Sequence, residues 1–131
     1  MGRMKWFFYV TDVGFLLYWL ITLLHVIPES MLFKDYHNPL LVSWNWSFLP
    51  LDLFISFTGL MALYFYRKGK DTWRNFSLIS LVLTFCSGLQ AIAFWAIRFD
   101  FDWIWWVFNL YLMIYPLFFL PKLLIQSKLA R

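Results

Sequence analysis

Two carboxylic acids, Asp12 and Asp52, stand inside otherwise apolar runs of this 131-residue chain, and two carboxamides, Gln90 and Asn109, stand inside two further ones. In hydrocarbon an ionisable side chain costs at least ~2.5 kcal/mol on insertion scales, so such a group marks a candidate site by default. A carboxylate held there can pair with a cation, carry a proton or accept hydrogen bonds from a polar ligand, and carboxamides can complete such a lining. With a rise of about 1.5 Å per residue, Asp12 falls about 9 Å inside the inner edge of its run, whereas Asp52 and Gln90 fall about 21 Å and Asn109 about 17 Å from the inner edges of theirs. Three helices would thus place polar groups at nearly one depth.

At about 100° per residue, Thr11, Tyr18, Thr22, His25 and Glu29 share a narrow arc of the first helix, and Asn45, Asp52, Ser56 and Gly59 share one of the second. Asp102, Asn109, Met113 and Pro116 share a face of the fourth. Ser77, Ser80, Thr84, Gly88 and Ala91 give the third a small-residue face suited to close packing. Lipid cannot satisfy polar stripes, so they point inward. The expectation is an outer-half cavity lined by Tyr18, Thr22, His25, Asp52, Gln90 and Asn109, with Asp12 as a separate proton or cation site.

Plainer roles compete with each assignment. Pro50 suits the first position of a helix, which would make Asp52 a first-turn capping acid. Asp12 could be reached by water or by inner-side cations, and His25 could be an interfacial residue. Gln90 and Asn109 could simply hydrogen-bond across helices. No catalytic residues stand out: there is no nucleophile elbow, phosphate loop or set of metal ligands. His25 and Glu29 have the i, i+4 spacing of a metal pair, but Pro28 intervenes and no third ligand accompanies them. The single cysteine, Cys86, excludes an intrachain disulfide and a Cys-x-x-Cys redox centre. The reading favours a non-enzyme without cofactor or metal.

The elements that must position these residues are membrane spans. Hydrophobic residues make up 63% of the chain and charged ones only 14%, against roughly half and a quarter in soluble domains. A bilayer-spanning helix needs about 20 mostly apolar residues, so four spans would use nearly all of residues 1–131 as a single integral membrane domain. The apolar runs predict helices over about 6–27, 47–66, 76–97 and 103–120. The first has an apolar part too long for a signal peptide, contains an acid and is followed by no cleavage site, so it is expected to be retained. A loop from Glu29 to Asn45, a basic turn containing Gly69 and an acidic turn over 98–102 separate the runs. The fold class expected is all-α, a polytopic bundle of four transmembrane helices.

Orientation follows from the basic residues. With the N-terminus inside, Arg3, Lys5, Arg67, Lys68, Lys70, Arg74, Lys122, Lys128 and Arg131 lie on the inner side, and only Lys34 and Arg98 on the outer. Positive residues near helix ends stay cytoplasmic, so both termini are expected inside. That placement also accounts for the net positive charge without nucleic-acid binding.

Three stretches are informative together: Leu24-His25-Val26-Ile27-Pro28-Glu29, the segment from Asn38-Pro39 through Ser43-Trp44-Asn45-Trp46-Ser47 to Asp52, and Phe85-Cys86-Ser87-Gly88-Leu89-Gln90-Ala91. They resemble the DUF5360 or YvaD-like family of small four-helix membrane proteins from Bacillus-type bacteria. The resemblance covers nearly the whole chain; it implies the topology and a bacterial plasma membrane, and no activity. A second similarity, to sterol-isomerase and sigma-2-receptor-type four-helix proteins, implies a pocket for a lipophilic ligand. The two histidine–glutamate pairs of that group are not visible here, so isomerase activity does not carry over.

Three function classes follow. Binding of a small lipophilic or cationic molecule, or of a lipid, fits the inward polar layer best. An accessory or structural subunit would need no site. A small proton-coupled drug-type transporter would use Asp12, although a dual-topology antiporter should lack so strong a charge bias. Membrane lipids are the expected partners, and homo-oligomerisation stays open.

Overall fold

The fold is that of a computed structural model describing residues 1–24 and 38–129, with side chains described to residue 125. Four helices are long and apolar enough to cross a membrane, and the chain is an all-α membrane protein among the described residues.

The first span, Met4–Leu23, consists of α1 (Met4–Phe8), a π-helical turn (Tyr9–Val13) and α2 (Gly14–Leu23). Then come α3 (Pro39–Arg67), α4 (Trp73–Ile97) and α5 (Trp103–Leu129). α3 begins at Pro39, earlier than the apolar run suggested. Proline is at home at the first helical position, where its missing N–H is not needed, and the Asn38 side-chain oxygen caps the turn by accepting from the Leu40 N–H at 3.0 Å. Pro50, which would suit a first helical position, lies inside α3, and Pro116 and Pro121 lie inside α5, which continues past the expected stop at Leu120. In a bundle, neighbouring helices and polar side chains can satisfy the carbonyls that such prolines free.

The two turns that join α3 to α4 and α4 to α5 use one backbone device. At the end of α3 the Lys70 N–H reaches the Phe65 carbonyl (3.0 Å) and the Gly69 N–H the Tyr66 carbonyl (3.1 Å), with Gly69 left-handed at φ 70°. At the end of α4 the Asp100 N–H reaches Trp95 (3.0 Å) and the Phe99 N–H reaches Ala96 (3.0 Å), but there Phe99 takes the left-handed place, at φ 58°. This pairing satisfies the last carbonyls of a helix, and glycine is its natural occupant. Asp102 then caps α5, its Oδ1 accepting from the Ile104 and Trp105 N–H groups at 3.0 and 3.3 Å.

α4 packs against α3 on one side and α5 on the other, and the first span closes the bundle between α3 and α5. Phe8, Ile55, Leu81 and Leu112, one from each span, are fully enclosed at the centre. Val10, Phe54, Phe57, Val107 and Phe118 face outward, as suits helices surrounded by lipid. Lipid tails are as apolar as leucine, so close packing and interhelical hydrogen bonds must hold the bundle together. The small face of α4 does this: Ser77, Ser80, Thr84, Gly88 and Ala91 are all buried. A Cβ at Gly88 would stand 2.6 Å from the Asn109 carbonyl oxygen and 2.8 Å from the Met113 nitrogen, so α4 and α5 meet backbone to backbone there.

Candidate functional site

Asp52 lies about three and a half turns inside α3, so it is not a capping acid. It is buried between three helices, and its two oxygens take different donors. The Trp19 indole Nε1–H donates to Oδ2 at 2.9 Å, and the Ser87 hydroxyl donates to Oδ1 at 3.3 Å. A buried carboxylate needs such donors, because losing water without replacement costs several kcal/mol.

Beside this carboxylate is a cavity of about 40 Å³ whose lining includes Tyr18, Trp19, Trp44, Trp95, Trp105 and Phe108. Asn45, Asp52, Ser87 and Asn109 supply its polar groups. The aromatic walls are interlocked: Tyr18 stands edge-on to Trp19 (5.0 Å between centroids) and to Trp105 (5.9 Å), and Trp44 meets Trp95 edge-on at 5.4 Å. Asn45 Oδ1 accepts from the Tyr18 hydroxyl at 3.5 Å, and Asn109 Nδ2 donates to the Trp105 carbonyl of its own helix at 2.7 Å. Ligand pockets for drug-sized molecules measure several hundred Å³, so this one has room for a small group only.

The sequence-derived set divides accordingly. Tyr18, Asp52 and Asn109 come together around the cavity. Thr22 is buried but donates to the Tyr18 carbonyl at 2.7 Å within its own helix and does not line it. His25 lies outside the described residues. Gln90 is the correction: it is exposed on the outer surface of the bundle. Depth alone suggested it, but it stands about 100° from Ala91 and about 200° from Gly88 around α4, away from the buried face. Ser87 takes the place expected of Gln90. Trp19 and Ser87 were missed, and a signal existed for each: Trp19 lies two turns after Asp12, and Ser87 two turns after Ser80, which is on the small buried face.

Asp12 forms a separate feature. It sits in the π-helical turn, wholly enclosed, and neither carboxyl oxygen has a hydrogen-bond partner among the described residues. Its carboxyl group lies against Gly59, where a Cβ would come 2.7 Å from Asp12 Cγ. The Ser56 hydroxyl donates to the Asp12 main-chain carbonyl at 2.9 Å, where the helical ladder widens. Next to it the Thr11 and Tyr111 hydroxyls are 3.0 Å apart. Single π turns inside α-helices occur frequently at functional sites. Asp12 and Asp52 do not share a site: Asp12 faces Gly59 and Trp19 faces Asp52, two pairs separated by seven residues on both helices, about 10 Å along the bundle.

No solved structure matches this chain. The uncharacterized protein YvaD of Bacillus subtilis (strain 168) is 55% identical to it over 128 residues, covering 98% of this chain and 96% of that relative. A family model described as "Family of unknown function (DUF5360)" matches residues 4–130, and the chain belongs to this family.

Proposed function

We propose that this is a multi-pass protein of a bacterial plasma membrane, with both termini in the cytoplasm, that binds the ammonium group of a small organic cation beside Asp52. The observation that carries the reading is a buried carboxylate, already oriented by Trp19 and Ser87, against a cavity walled by aromatic rings. Aromatic faces attract cations, most strongly where water is excluded, and a fixed carboxylate adds the counter-charge. The cavity of about 40 Å³ suits a methylated ammonium or about three waters, so the rest of a larger amphiphile would extend out of it. The test is the melting temperature of purified protein in a neutral detergent, with and without tetramethylammonium and dodecyltrimethylammonium. Both cations should stabilise the wild type, and Asp52→Asn should abolish the effect while Asp12→Asn retains it.

Asp12 favours a second reading, a proton-coupled transporter. Its carboxyl group is enclosed in a π turn, with no hydrogen-bond partner among the described residues, an arrangement suited to binding and releasing a proton. Loss of cation stabilisation in Asp12→Asn, with Asp52→Asn unaffected, would select this reading over the first.

A further inference from the structure

At the basic end of the bundle, far from Asp52, the start of α1, the start of α4 and the last turns of α5 enclose a pocket of about 300 Å³. Its floor and walls are apolar, with Met4, Trp73 and Leu123 buried and Phe119 partly so. Its charged lining groups are the exposed Arg3 and Lys122 side chains together with the Met1 amino terminus, and among the described residues no carboxylate lines it. Arg74, on the next position of α4, lays its guanidinium over the Trp73 ring at 5.4 Å, and its buried Nε has no hydrogen-bond partner among the described residues. Two basic side chains thus line an apolar hollow, Arg74 stands beside it, and among the described residues no acid lines it.

We propose that this pocket binds the head group of an anionic phospholipid. The phosphate lies between Arg3 and Lys122, and the glycerol and first acyl carbons lie over Trp73 and Phe119. A guanidinium presents a fork of donors that matches phosphate oxygens, and an ammonium supplies a point charge beside it. Basic pockets between membrane helices are suited to acidic lipid head groups. The apolar floor selects a lipid over free phosphate, because an inorganic ion would leave that surface uncovered and would find no polar groups there. The site is independent of the one beside Asp52, at the other end of the bundle, and either can fail without the other.

The experiment compares binding of dioleoylphosphatidylglycerol and dioleoylphosphatidylcholine to the intact protein in neutral detergent, by native mass spectrometry and by thermal melting. Phosphatidylglycerol should bind and stabilise, and phosphatidylcholine should do neither. Arg3→Gln with Lys122→Gln should weaken phosphatidylglycerol binding by roughly 30-fold, about a factor of five for each cation near an anionic group. The exchange Arg3→Lys with Lys122→Arg, which keeps the charge, should retain most of the binding. Lys68→Gln with Lys70→Gln removes the same charge from the same end but outside the pocket, and should have little effect. An equal loss in both Gln pairs would overturn the proposal in favour of a diffuse basic surface. Stabilisation by glycerol 3-phosphate or inorganic phosphate equal to that by the lipid would overturn it in favour of a free-phosphate site.

Discussion

The Asp12 carboxyl group occupies the space in which a side chain on Gly59 would stand. The two residues are on antiparallel neighbours, and the absence of a Cβ on α3 is what lets a carboxyl group be wholly enclosed there. Gly59→Ala should therefore destabilise the bundle by about 1–3 kcal/mol, the usual cost of overpacking a closed core. The same substitution made on top of Asp12→Ala should cost little, since the obstructing group is gone. A double-mutant cycle read by thermal melting measures the coupling, and additive effects would show that Gly59 is needed for another reason.

The contact between α4 and α5 gives a second prediction. A Cβ at Gly88 would meet main-chain atoms of Asn109 and Met113, and these cannot move aside without parting the two helices. Gly88→Ala should lower stability by about 1–3 kcal/mol. Val82→Ala, on the exposed side of the same helix, should change it by less than about 0.5 kcal/mol. Similar melting temperatures for the two variants would refute the close approach.

The limits of sequence reading in this chain follow from what periodicity encodes. Long apolar runs identified the four spans, and the spacing of Ser77, Ser80, Thr84, Gly88 and Ala91 in steps of three and four identified a face that proves buried. Gln90 misled because an axial position says nothing about azimuth; the packing of α3 and α5 sets which side of α4 is inward. The capping alternative for Asp52 fails because the preference of Pro50 for a first turn is local, whereas Pro39 with the Asn38 cap supplies an earlier start and the rest of the bundle tolerates the interior proline. The π turn at Tyr9–Val13 had no signal in residue type. There Asp12 meets Gly59 and Ser56, residues remote in sequence.

Phe99 holds a left-handed conformation in the position that glycine fills at the equivalent turn after α3. For a residue with a side chain this conformation costs about 1–2 kcal/mol, partly offset by the extra chain entropy a glycine loses on folding. Phe99→Gly should therefore raise stability by about 0.5–1 kcal/mol, while Gly69→Phe at the other turn should lower it. Thermal melting of the two variants in one detergent checks the pair. A fall in Phe99→Gly would mean that the exposed ring itself contributes, as an anchor at the membrane surface.

Topology is checked by reporter fusions. Fusions after Lys70 and after Arg131 should report cytoplasm, and one within residues 35–38 the opposite side, because nine of the eleven basic residues would then lie inside. A cytoplasmic signal from the 35–38 fusion would overturn the proposed orientation.

The last prediction concerns the donors to Asp52. The Trp19 indole is buried and gives its N–H to Oδ2, so Trp19→Phe preserves most of the ring but leaves a buried carboxylate oxygen with one donor fewer. Removing one partner of such a bond costs about 1–3 kcal/mol, since the group left behind keeps its desolvation penalty. Ser87→Ala removes the longer of the two bonds and should cost less. Trp103→Phe, at an exposed indole, should cost almost nothing. In Asp52→Leu, where no carboxylate remains to be satisfied, Trp19→Phe should lose most of its effect. If Trp19→Phe instead costs the same with and without the carboxylate, the indole acts by packing alone, and the oriented carboxylate on which the cation-binding reading rests is not held by Trp19.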